Sequence, residues 1–310
     1  MIASDILTKE QIQYFSKRSD WAAARVLLGN WLLIALIFTI VAVWTNPLTI
    51  FLAIILFGGR QLSLAVVVHD CGHRSMFTRW SWNRFAAQWL AGVFVFSDAR
   101  TYRAKHTKHH RLGGTEEDPD LMNYVNYAVA RKSLARKVVR DLTGITGVKI
   151  FYYAAKGLGP KAVLQWGGAH LLLFGILYAT GHGLLYLMWP AAWLTSHMLI
   201  IRLRQAAEHA AVQDLFHPDP RKHTRTTYAR WWEKLLIAPN NVNYHLDHHI
   251  LPSVPCYRLP EFHAFLKENG HLEGAELRHG YWSVFRRLVL PPGVIKEKYA
   301  QQLQTDRNLH

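Results

Sequence analysis

Long apolar runs alternate with polar, basic stretches along this chain, and the length of the runs sets the class of element. A helix needs about 20 largely apolar residues to cross a bilayer. Four segments reach that length, at about 26–45, 48–68, 162–180 and 184–201. The Asn46-Pro47 pair breaks the first from the second, because proline lacks the N–H that a continuing helix donates. The Gly181-His182-Gly183 turn separates the third from the fourth. The pattern predicts an all-α integral membrane protein with four transmembrane helices in two hairpins. Arg60 falls inside the second run, where a charge is costly. It faces the protein interior, or the helix leaves the bilayer earlier than drawn.

Two further apolar stretches, 85–96 and 145–155, are too short to span and are expected in the membrane interface or under the polar part. Trp80, Trp82, Trp89, Trp231 and Trp232 are candidate anchors at headgroup level. The turns near Pro47 and His182 carry no Lys or Arg, whereas 1–25, 69–161 and 202–310 carry many. The positive-inside rule therefore predicts that both termini and the long central segment are cytosolic. The expected organisation is a single domain over 1–310, with a cytosolic helical cap built from 69–161 and 202–310. The first residues are mixed and polar, unlike a secretory signal.

Composition narrows the partners. Lys and Arg number 36 against 21 Asp and Glu, a formal charge of +15 that suits nucleic acid or an anionic lipid surface. The apolar runs select lipid. Two cysteines, Cys71 and Cys256, make no disulfide framework.

The 18 histidines carry the chemistry through their spacing. His69-Asp-Cys-Gly-His73 sets two imidazoles at i and i+4, on one face of a helix. His106-Thr-Lys-His109-His110 and His245-Leu-Asp-His248-His249 each offer i, i+3 and i+4, with the middle ring splayed. Neutral imidazole is a ligand for iron, zinc and copper. Eight such rings exceed the needs of one ion.

HDCGH, HTKHH and HLDHH, in this order, resemble the histidine boxes of the membrane fatty acid desaturases, a superfamily shared with hydroxylases and carotenoid ketolases. The likeness extends to GGTEEDPD after the second box, RQAAEH at 204–209 and NNVNYHLDHHILPSVPCYRLPEFH at 240–263. It implies two non-haem irons held by His69, His73, His106, His109, His110, His245, His248 and His249. His209 stands where such proteins place a ninth ligand, while His170, His182 and His197 lack box spacing and read as structural. A ligating imidazole usually donates its other N–H to a carboxylate or carbonyl. Asp70, Asp118, Asp120, Glu208, Asn243 and Asp247 are the nearby candidates.

The resemblance implies desaturation of a fatty acyl chain, with O2 as co-substrate and two electrons from outside. His245 opens the third box where front-end desaturases carry Gln, and no His-Pro-Gly-Gly motif of a fused cytochrome b5 is found. A separate ferredoxin or cytochrome b5-type donor is expected, and the basic face suits an acidic one. A lipid or carotenoid hydroxylase or ketolase uses the same ligands. A membrane zinc hydrolase would need Glu after the first His, where Asp70 stands. A metal carrier would hold its ligands near mid-membrane.

Overall fold

The computed structural model describes residues 3–290. In chain order its helices are α1 (Lys9–Phe15), α2 (Asp20–Val43), α3 (Pro47–Gly72), α4 (Trp80–Phe85), α5 (Ala99–Leu112), α6 (Arg131–Leu142), α7 (Ile145–Leu158) and α8 (Pro160–Ala179). There follow α9 (Met188–Ala192), α10 (Met198–His209), α11 (Pro220–His223), α12 (Trp231–Leu236), α13 (His245–Ile250), α14 (Leu259–Glu268) and α15 (Tyr281–Phe285). Four segments are long and apolar enough to cross a membrane: α2, α3, α8 and the run Gly183–His209, which contains α9 and α10.

Local chemistry explains where these segments begin. The Ser19 side chain accepts from the Ala22 N–H at 3.3 Å, so α2 starts at Asp20, ahead of the apolar run itself. Asn46 Oδ1 accepts from the N–H groups of Leu48 and Thr49 at 3.0 and 3.1 Å, and Pro47 fills the first turn of α3. Two ends lie beyond the expected limits. The second segment continues past 68 to Gly72, and the fourth continues past 201 to His209. Both extensions carry buried polar residues, His69 and Asp70 in one and Arg204 and Glu208 in the other. Hydropathy falls there while the backbone ladder continues.

Outward faces are apolar. Leu28, Leu32 and Leu36 of α2 and Leu164, Leu171 and Leu172 of α8 are all exposed, as expected of surfaces that face lipid. Inside, Phe57 of α3 sits edge-on to Trp189 of α9, with ring centroids 5.4 Å apart. Arg60 turns inward. It is 4% exposed and donates to Asn30 Oδ1 at 3.3 Å and to the Leu235 carbonyl, in keeping with the first of the two readings of its place. Gly58 and Gly59 permit the close packing around it: a Cβ on Gly59 would meet the Leu235 carbonyl oxygen at 2.8 Å.

The 85–96 stretch is not a free interfacial helix. It closes as a wide turn over Ala86–Ala91 and a tight one over Gly92–Val95, with Ala86, Ala87, Ala91, Val93 and Val95 buried. By contrast α7 leaves Ile145, Val148, Ile150, Tyr152 and Tyr153 exposed. Trp82, Trp89 and Trp231 are exposed, while Trp80 lies under the guanidinium groups of Arg74 and Arg103, 4.7 and 4.8 Å from its ring centre.

The all-α expectation needs one correction. Two four-residue strands, β1 (Arg225–Tyr228) and β2 (Glu276–His279), pair in parallel with Arg225 opposite Glu276. Buried Arg225 donates to the carbonyls of Ala207, Ala210 and Ala211 and pairs with Glu276 at 3.2 Å, which ties the end of α10 to the sheet. On the other side Leu7 and Phe15 pack with Leu246, Leu251, Phe262 and Leu266, so the N-terminal segment braces α13 and α14.

Candidate metal centre

Three helices and one helix end bring the box histidines together. His69 lies in the last turn of α3 and His73 caps it, after which Arg74 takes a left-handed conformation (φ 60°) that ends the helix. The second box occupies α5, capped by Asp98, whose side chain accepts from the Thr101 N–H at 2.8 Å. The third box is most of α13, and His209 is the last residue of α10.

The nine rings form two groups. His69, His73, His106, His110 and His248 make one, and His109, His209, His245 and His249 make the other; within each, the nearest ligand atoms all lie within 4.8 Å of one another. The second and third boxes serve both. Residues at i and i+4 share a helix face, so His106 with His110 enters one group and His245 with His249 the other. The middle histidine of each box, His109 or His248, crosses to the opposite group.

The nitrogens converge closely enough that each group could hold a metal ion. His106 and His110 bring their Nε2 atoms to 3.0 Å, His110 and His248 to 3.0 Å, His209 and His245 to 2.7 Å, and His245 and His249 to 3.1 Å. Nε2 of His69 and of His73 is buried with no hydrogen-bond partner. A neutral imidazole has one N–H. Where that proton is held at Nδ1, Nε2 presents a bare lone pair, and several lone pairs converging in a buried space repel unless a cation lies among them. His69 Nδ1 donates to Asp70 at 2.6 Å, His109 Nδ1 to Asp118 at 2.8 Å, and His209 Nδ1 to the His223 carbonyl at 3.3 Å. Burial, reinforced by neighbouring imidazoles, pushes His73, His106, His110, His245, His248 and His249 well below the ordinary histidine value. Burial thus favours their neutral form, which is the ligating one.

Three of the six residues expected behind the ligands touch box histidines. These are Asp70, Asp118 and Glu208, the last 3.5 Å from His245 Nδ1 and paired with Arg204 at 2.7 Å. The other three do different work. Asp120 pairs with Lys105 at 2.6 Å, and Asn243 donates to the Thr227 carbonyl at 2.9 Å, fixing the start of α13 to β1. Asp247 accepts from His263 Nδ1 at 2.8 Å and from Thr226 at 2.7 Å, so it points away from the ligands of its own box. Sequence reasoning missed His223, whose carbonyl holds His209, and Tyr124, whose hydroxyl donates to Asp118. It also missed Tyr102, stacked on His106 with centroids 5.4 Å apart, although the i, i+4 spacing signals that contact. Neither His170, which meets the Tyr186 hydroxyl at 3.0 Å, nor His197, which faces the Gly58 carbonyl at 3.3 Å, joins either group.

Fold and site thus define a helical protein with four apolar helices of spanning length and two joined histidine groups fit to hold metal. Residues 42–281 match the fatty acid desaturase family model, and the chain belongs to that family. It is 25% identical over 238 residues to the dihydrorhizobitoxine desaturase of Bradyrhizobium elkanii, covering 70% of this chain and 66% of that protein. It is 25% identical over 242 residues to the sn-1 oleoyl-lipid 12-desaturase of Synechocystis sp., covering 68% and 66%. It is 28% identical over 210 residues to the sphingolipid delta(4)-desaturase/C4-monooxygenase DES2 of Bos taurus, covering 66% and 62%. The matches span less than two thirds of the length of each of these relatives.

Proposed function

We propose that this chain is a membrane-bound, O2-dependent desaturase with two non-haem irons, one in each histidine group, that introduces a double bond into the hydrocarbon chain of a lipid or acyl thioester. The observation that carries this reading is the interleaving of the groups: two boxes each lend ligands to both, which suits a pair of neighbouring ions acting together. The irons, when bound, supply oxidising power from O2 and two electrons. Overall, two hydrogens leave adjacent carbons of the substrate, and with O2, two electrons and two protons the products are an alkene and two waters. The electrons come from a separate ferredoxin or cytochrome b5-type protein.

The protein's own groups orient and exclude. Asp70 and Asp118 hold protons at the Nδ1 atoms of His69 and His109 and thereby fix ring tautomer and direction. Tyr124 and the Asp120 N–H in turn hold Asp118. A cavity of about 320 Å³ reaches His69 and His106 of one group and His109, His209 and His245 of the other, giving a substrate carbon access to both. We read the chain as a single domain whose α2–α3 and α8–α10 segments form two transmembrane hairpins. The remainder is a cap on the cytosolic face, with both termini on that side. The charge-free turns near Pro47 and His182 support this orientation.

A hydroxylase outcome is the second reading, favoured by one relative whose name couples desaturase with C4-monooxygenase. A zinc hydrolase is disfavoured, because Asp70, which meets His69 Nδ1 at 2.6 Å, stands where that class carries Glu as general base. Incubation under 18O2 with reductant and native lipid tests the choice. Label released as water, with a product two hydrogens lighter, supports desaturation. Label retained in the lipid as the main product moves the chain to the hydroxylase branch.

A further inference from the structure

The cavity shared by the two histidine groups has an unexpected wall for a site that would oxidise the middle of a long acyl chain. Leu62, Val66, Ile150 and Ile201 give it an apolar part. The rest includes Lys105, Asp120, Arg204, Gln205 and Glu208. Four of these form two ion pairs. Arg204 Nε meets Glu208 Oε1 at 2.7 Å with side chains 11% and 4% exposed, and Lys105 Nζ meets Asp120 Oδ1 at 2.6 Å nearer the surface. Methylenes laid against such groups would displace their water and return no hydrogen bond, which is unfavourable. A polar head group replaces the lost water with hydrogen bonds.

The cavity's volume, about 320 Å³, accommodates a head group together with the carbons beside it. Any longer tail leaves past Ile150, whose exposed helix α7 offers an apolar surface. The two pairs also specify the head. Glu208 and Asp120 can receive an ammonium, while Arg204 and Lys105 can hold an oxygen, and charge-assisted bonds of this kind are the stronger ones.

We propose that the substrate carries an ammonium with a neighbouring oxygen, seated in this cavity, so that the carbon oxidised lies within a few bonds of the head group. The inference rests on the desaturase reading for its chemistry but on the cavity wall for its specificity. An amino acid with a short chain and a long-chain amino alcohol share this head chemistry, one free in solution and the other a lipid.

The test uses the full-length, iron-loaded protein in nanodiscs, with calorimetric titration of 2-aminodecanoic acid, sphinganine and decanoic acid. Product mass spectrometry follows, with dipalmitoylphosphatidylcholine included as a long-chain substrate. We expect at least one aminated probe to bind about tenfold or more tightly than decanoic acid, and Asp120→Asn to erode that preference several-fold with iron content unchanged. The new double bond should lie within a few carbons of the amine. Decanoic acid binding as tightly as both aminated probes overturns the proposal, as does a mid-chain double bond in the phosphatidylcholine as the product. Protein that holds no iron yet keeps the head-group preference supports the cavity inference while removing the desaturase reading beneath it.

Discussion

Asp118→Asn removes one charge from behind the metal centre with little change of shape. The native carboxylate accepts from His109 Nδ1 at 2.8 and 2.9 Å, from the Tyr124 hydroxyl and from the Asp120 N–H at 2.8 Å, with its side chain 1% exposed. Burial alone would raise this carboxyl, but the hydrogen bonds from His109 and Tyr124 outweigh it and hold the group below the usual carboxylate range. Asparagine keeps one acceptor oxygen and loses the negative charge that makes His109 a stronger ligand. Loss of such a partner typically lowers metal affinity by about 10–100-fold, or roughly 1.4–2.7 kcal/mol. The effect should fall on the group containing His109, His209, His245 and His249. Chelator competition on purified protein measures it, with Asp120→Asn as control, because Asp120 pairs with Lys105 and touches no box ring. Native affinity in Asp118→Asn, or an equal loss in Asp120→Asn, would refute the assignment of Asp118 as the group that orients His109.

Three further outcomes follow from the same structure. His209→Ala should lower bound iron and activity together, whereas His170→Ala and His182→Ala should leave iron content as it is; equal iron in all three would make His209 a packing residue only. Metal-free protein should lose stability as pH falls below about 6.5, because unfolded histidines take up protons there while the buried rings, held low, stay neutral. Each such ring contributes a slope of up to about 1.4 kcal/mol per pH unit, and melting temperatures that stay flat from neutral pH to pH 5.5 would contradict this. Single cysteines at positions 47 and 182 should react only with reagent on the non-cytosolic side, and labelling of either from the cytosol alone would overturn the proposed orientation.

The readable parts of this fold were those governed by neighbours in sequence. Asn followed by Pro ahead of an apolar run is a favoured helix start, and here Asn46 and Pro47 begin α3. The i, i+4 spacing likewise placed His106 beside His110 and His245 beside His249. What could not be read depended on the partner across the fold. Hydropathy stops near 68 and 201 because His69, Asp70, Arg204 and Glu208 are polar, yet they are buried against one another and the helices run on through them. The crossing of His109 and His248 to the opposite groups requires the angle between α5 and α13, which no spacing rule contains. Asp247 stands next to His248 in sequence but its carboxylate turns to His263 and Thr226, so adjacency misdirected that assignment. Arg60 needed Asn30 and the Leu235 carbonyl, from two distant segments, to make sense of its charge.

Elemental analysis of the full-length protein, purified from cells grown with ample iron and zinc, tests the central claim most directly. The two-group arrangement predicts two irons per chain, with His248→Ala and His245→Ala each lowering that number while the chain still inserts into membrane. One zinc per chain, or loose substoichiometric metal unaffected by either substitution, would contradict it.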